Sequence, residues 1–98
     1  MQIEFKSRDL DRLETDPSFT AGFSTDVVKA FRKRLQVIRA ANDERDLYAF
    51  KGNRFEKLKG ARAHQHSLRL NDQWRLIVQV KPAEPKNVIF VEGIEDYH

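Results

Sequence analysis

HSLRLNDQWRLIV, residues 66–78, decides how the second half of the chain folds. Leu68 and Leu70, then Trp74 and Leu76, alternate with Ser67, Arg69 and Arg75, the period-two pattern of strands that bury one face. Asn71 and Asp72 between the two runs tolerate the left-handed conformations of a tight turn. With a three-residue loop, Asn71-Asp72-Gln73, Leu70 stands opposite Trp74 and Leu68 opposite Leu76. A two-residue loop would instead set Leu68 against Arg75. A one-residue slip exchanges the two faces, so the apolar match selects the three-residue loop. The same register places Arg69 opposite Arg75 on the other face, where like charges directly across a ladder destabilise it. Either an anion lies between the two guanidinium groups, or one of them pairs with Asp72 or Glu56.

Working outward, Val88-Ile89-Phe90-Val91 is apolar on both faces and reads as an interior strand. Gly93 after it marks a bulge or a close backbone approach. Pro82-Ala83-Glu84-Pro85 reads as a loop, and Phe55 and Leu58 accompany a short segment ahead of the hairpin. Near the start, Ile3 and Phe5 alternate with polar neighbours as a first strand. Ser7 is positioned to cap a helix through Leu10 and Leu13, which Asp16-Pro17-Ser18 and Gly22 interrupt. Ser24, Thr25 and Asp26 offer caps for a longer helix in which Val27, Phe31, Leu35 and Ile38 recur every three to four residues. Lys29, Arg32, Lys33 and Arg39 fall largely on its other faces, and Arg34 lies at the edge of the apolar stripe. The expectation is an α+β fold, two N-terminal helices packed on a small antiparallel sheet, forming one domain over residues 1–98.

The chain has 98 residues, 40% of them apolar, a size and mix suited to one core. It has no cysteine, which excludes a disulfide scaffold and a cysteine-based zinc site. No apolar run approaches the ~18–20 residues of a membrane span, and the first segment carries acidic residues where a signal peptide needs an apolar stretch. A cytoplasmic protein without membrane contact is expected. Charge is unevenly distributed. Residues 1–50 balance nine basic against nine acidic side chains, and residues 76–98 carry two basic against four acidic. Residues 51–75 hold seven basic side chains against two acidic. This middle segment suits a polyanion such as a phosphate backbone, the alternative being a merely solvated basic face. His64 and His66 alternate along a strand, but two histidines without a third ligand make a poor metal set, so no metal or other cofactor is expected. His66 is expected near a bound polyanion or packed among its neighbours. Asp9, Asp11 and Glu14 read as a solvated helix face.

Three runs carry a resemblance. Gly52-Asn53-Arg54-Phe55-Glu56-Lys57-Leu58-Lys59-Gly60, the run from Gln65 to Arg75, and the ending Asp96-Tyr97-His98 resemble, in that order, the HigB-type toxins of the RelE/ParE superfamily, also called plasmid-maintenance killer proteins. The likeness spans roughly residues 3–98 and is strongest from Gly52 onward. It implies a RelE-like microbial RNase fold, cleavage of messenger RNA on the ribosome, and neutralisation by a helix-turn-helix antitoxin of the HigA type. Carried over residue by residue, the family's active-site lysine before a glycine is Lys59, its arginine after the tryptophan is Arg75, and its terminal pair is Tyr97 and His98. Where some relatives have a histidine, this chain has Glu56.

The implied chemistry is self-consistent. RNA brings its own nucleophile, the 2′-hydroxyl, so the protein has to align it, move two protons and stabilise the added negative charge. Arg75 offers a bidentate contact to phosphate oxygens and Lys59 a point charge. His98 is suited to acid or base work, its terminal carboxylate is a further base, and Tyr97 can donate, stack or orient; the residues alone leave these open. Arg54, Lys57, Arg62, His66 and Arg69 are the expected RNA-binding side chains around this centre. The rival is a non-catalytic binding module acting on DNA gyrase or nucleic acid. The Tyr97-His98 ending argues against it, because a pure binder has no evident need for a terminal imidazole.

Overall fold

The caps read from the sequence start the helices where expected. The structure is a computed structural model and describes residues 1–96. Ser7 Oγ accepts the Leu10 N–H at the head of α1 (Arg8–Thr15), and Ser24 Oγ accepts that of Val27 at the head of α2 (Thr25–Ala40), each at 3.3 Å. Strand β1 (Ile3–Phe5) precedes them. A third, six-residue helix follows, α3 (Glu44–Ala49), capped by the Asp43 carboxylate on the Arg45 N–H at 2.9 Å. It is an addition to the two helices expected. It buries Leu47 alone, and one apolar position gives no periodicity to read. A 3₁₀ turn at Lys51–Asn53 then leads to β2 (Glu56–Lys57), and another at Gly60–Arg62 leads to β3 (His66–Arg69), β4 (Trp74–Lys81) and β5 (Val88–Asp96).

The strands form one sheet in the order β1-β5-β4-β3-β2. Its β2-β3, β3-β4 and β4-β5 pairs are antiparallel, whereas β1 lies parallel to β5 with Ile3 beside Ile89, so the sheet is mixed rather than wholly antiparallel. A parallel pair requires a long crossover. Here nearly the whole chain provides it. β5 lies between two strands, which is the interior position that its apolar run demands. The hairpin has the register chosen by apolar matching, Leu68 opposite Leu76 and Arg69 opposite Arg75. Leu70 N–H donates to the Trp74 carbonyl at 3.0 Å across the Asn71-Asp72-Gln73 loop. Asn71 Oδ1 holds that loop by accepting from the backbone of Gln73 and Trp74 at 2.9 and 2.8 Å. The clash of like charges is relieved within the turn, where Arg69 pairs with Asp72.

One face of the sheet packs on the helices. Leu68, Leu76, Val78, Ile89 and Val91 meet Leu13, Phe31, Leu35 and Ile38 in the core, and Trp74 lies against it, edge-on to Phe23 with centroids 5.7 Å apart. Arg32 leaves the expected solvent face of α2 and donates to the carbonyls of Leu13 at 2.9 Å and Asp16 at 2.8 Å, satisfying acceptors left open at the end of α1. The ammonium of Met1 does the same for α2, donating to the carbonyls of Ile38, Arg39 and Ala41 at 3.1, 3.1 and 2.7 Å. Among the described residues no helix is long and apolar enough to cross a membrane.

Candidate functional site

Because Leu68 and Leu76 point to the core, Ser67, Arg75 and Ile77 point to the opposite face of the sheet. The segment between β2 and β3 folds over that face, closed by a 3.0 Å bond from the Leu58 N–H to the Gln65 carbonyl. Leu58 and Arg62 from this segment, Ser67, Arg75 and Ile77 from the hairpin, and Glu95 and Asp96 from β5 surround a concavity of about 230 Å³. That is smaller than the ~300–1,000 Å³ of ordinary small-molecule pockets. Lys59 follows Leu58 in the chain and is exposed at the entrance to the Gly60–Arg62 turn. Gly60 makes that turn at φ +65°, a conformation strained for any residue with a side chain.

A bulge sets the far wall. Ile77 pairs with Gly93 but Val78 pairs with Val91, so Glu92 is the extra residue and Gly93 marks the irregularity. Glu92 accepts from Gln79 Nε2 at 2.7 Å and from Gln65 Nε2. Burial opposes its charge, yet these two amide donors outweigh it and hold the carboxyl below the usual carboxylate range. Gln65 in turn accepts from Arg62 Nε at 2.6 Å, and Arg62 donates to both oxygens of Glu95 at 3.0 and 2.8 Å. Glu95 stands opposite Arg75 in the β4-β5 register. A chain of polar contacts, Gln79–Glu92–Gln65–Arg62–Glu95, thus frames the arginine. The sequence did not reveal it, because the cross-strand neighbours of Arg75 depend on the bulge.

The nine expected site residues divide among several places. Arg75 and Arg62 share the concavity, and Lys59 follows Leu58, which lines it. Tyr97 and His98 lie outside the described residues; they follow directly on Asp96, which lines the concavity. Arg69 is engaged by Asp72. His66 pairs with Val78 and so belongs to the face opposite Arg75, where it stacks on Phe55 with centroids 4.5 Å apart and bonds Tyr48 Oη at 2.8 Å. Burial, reinforced by the charge of Lys57, lowers its pKa and favours the neutral ring. Lys57 is exposed on β2. Arg54 is exposed at φ +45° beside Tyr48 and Phe50.

The architecture is that of a known class of small toxins. Over the full length of both chains it matches the YoeB/ParE toxin from Agrobacterium tumefaciens with a TM-score of 0.62, at 16% sequence identity. Residues 3–98 match the family model described as RelE-like toxin of type II toxin-antitoxin system HigB. The chain is 35% identical over 79 residues to Toxin HigB-1 of Vibrio cholerae serotype O1, covering 81% of this chain and 83% of that protein. It therefore belongs to the HigB-like toxin family of type II toxin-antitoxin systems, and membership implies an antitoxin partner.

Proposed function

We propose that this toxin is a ribosome-dependent endoribonuclease that cuts messenger RNA in the cytoplasm and is neutralised by a helix-turn-helix antitoxin of the HigA type. The observation that carries the reading is the placement of Arg75. The hairpin register turns it away from the core into a concavity that also holds Arg62, with Leu58, the residue before Lys59, and Asp96, the residue before the terminal pair, on its wall. In the proposed reaction the 2′-hydroxyl attacks the adjacent phosphorus and the 5′-oxygen of the next nucleotide leaves. Arg75 donates to the phosphate oxygens that gain charge, and Lys59 adds a second positive charge. One proton leaves the 2′-oxygen and one reaches the departing 5′-oxygen, carried by Tyr97, His98 or its terminal carboxylate. Because the substrate contains the nucleophile, no metal-activated water is needed. Induced expression is expected to arrest growth with transcripts cut within translated regions. Upstream fragments are expected to end in a 2′,3′-cyclic phosphate. Intact transcripts with collapsed DNA supercoiling, or 3′-hydroxyl upstream ends, would refute the proposal.

Glu95 sharpens it. Its carboxylate occupies Arg62 and places negative charge where a phosphate would approach. Glu95→Gln is expected to lower KM on programmed ribosomes several-fold. Thermal stability should change little, because the pair is 45% and 47% exposed and such pairs contribute ~0–1 kcal/mol. A raised KM would show that Glu95 acts by holding Arg62 in place.

A further inference from the structure

A second surface lies at the β2 edge of the sheet. Tyr48 and Phe50 are exposed by 50% and 61%, the large apolar side chains that stand out from the described surface. The Tyr48 ring is held in place. Tyr48 packs edge-on to Phe55 with centroids 4.7 Å apart, and its hydroxyl is bonded to His66. Phe50 folds back over the Lys51–Asn53 turn, where a Cβ on residue 52 would lie 2.5 Å from the Phe50 ring edge. Only glycine leaves room for that placement. An exposed aromatic fixed as Tyr48 is has little side-chain entropy left to lose on binding.

Cations flank them. Arg12, Arg39, Arg45, Arg62 and Arg69 each pair with a carboxylate of the chain itself. Lys51 and Arg54 line the same shallow hollow of about 360 Å³ as Tyr48 and Phe50, and neither has an ion-pair partner among the described residues. Glu56 also lines the hollow, leaving two cations against one carboxylate, and exposed aromatic faces flanked by net positive charge match a single-stranded nucleic acid, whose bases stack while its phosphates meet the charges. The hollow lies near the concavity along the chain through β2: Phe55 and Glu56 line the one, and Leu58, two residues after Glu56, lines the other.

We propose that Phe50 and Tyr48, with Lys51 and Arg54, form a base-stacking platform for single-stranded RNA on the opposite side of β2 from Arg75. The platform would hold the strand that the concavity cuts, so its role in catalysis rests on the endoribonuclease reading, while its binding of RNA does not. The test is fluorescence anisotropy with a labelled 2′-O-methyl RNA 12-mer, which lacks the nucleophile and cannot be cut. Phe50→Ala is expected to weaken binding by on the order of tenfold, and Phe50→Trp to restore it. Lys51→Gln with Arg54→Gln should reduce the log–log salt slope by roughly 0.7 for each phosphate that is no longer neutralised.

Parental affinity in Phe50→Ala, or a parent that binds no oligonucleotide, would overturn the platform. So would Phe50→Ala that keeps RNA affinity but no longer binds the purified antitoxin, since the patch would then be a protein-docking face. Message cleavage by the parent is measured in parallel. A parent that binds through Phe50 but cuts nothing refutes the endoribonuclease and leaves the platform; a parent that cuts while Phe50→Ala binds normally does the reverse.

Discussion

Arg75→Ala is expected to lower message cleavage on purified ribosomes by on the order of 10²–10³ and to abolish toxicity, while the protein remains folded. The factor is the usual loss on removing one preorganised donor to a transition-state oxyanion. Arg75 is half-buried on β4, on the face opposite Leu76, and its side chain borders an open concavity, so truncation widens a hollow without emptying the core. The stability gain that repulsion from Arg69 would suggest should be small, because Asp72 already neutralises Arg69. The unfolding temperature should therefore stay within a few degrees of the parent. Arg75→Lys should recover only part of the activity, since an ammonium lacks the bidentate fork. Parental cleavage by Arg75→Ala would remove Arg75 from the site. Unfolding many degrees lower would mean that Arg75 supports the sheet rather than the chemistry.

What was legible follows the range of the physics. The hairpin register, the Ser7 and Ser24 caps and the interior position of β5 depend on neighbours within a few residues, and all three could be read from spacing. The parallel pairing of β1 with β5, the turn of Arg32 toward the carbonyls of α1 and the Arg62–Glu95 pair join residues far apart in sequence, and no periodicity encodes them. His66 is an intermediate case. Period two already groups it with Leu68 and Leu70 on the buried face, while its chemistry and the basic run around it left contact with RNA or packing among neighbours both open. The alternation sets its face, where the ring stacks on Phe55 and bonds Tyr48. Phe50 and Tyr48 offered no signal in sequence, since exposure of an aromatic side chain is a property of the assembled surface.

Asn53 is the residue whose sequence context most understates it, and Asn53→Leu is expected to destabilise the protein by about 2–4 kcal/mol, a fall of on the order of 10–20 °C in unfolding temperature for a domain of this size. Beside a glycine in a turn it looks like an ordinary loop asparagine, yet it is fully buried. Its amide donates to the Leu47 carbonyl at 3.1 Å and its oxygen accepts from Arg34 Nη1. Arg34 is half-buried; burial, with the nearby charge of Arg69, lowers its pKa, so Asn53 Oδ1 is an acceptor for a partly desolvated cation. Leucine has the same branched skeleton as asparagine but is larger and leaves both partners unsatisfied, so crowding adds to the lost hydrogen bonds. If the uncompensated cation carries much of the cost, Arg34→Met combined with Asn53→Leu should be less destabilising than the sum of the two single changes, by at least about 1 kcal/mol in a double-mutant cycle. Additive effects would show that Arg34 regains its hydrogen bonding elsewhere and that the Leu47 carbonyl alone sets the loss. Since the Asn53 N–H also closes the turn that carries Phe50 and Arg54, Asn53→Leu should loosen the proposed RNA platform at temperatures where the core is still folded, which hydrogen exchange at residues 50–54 would register as faster opening than at Leu76 or Val78.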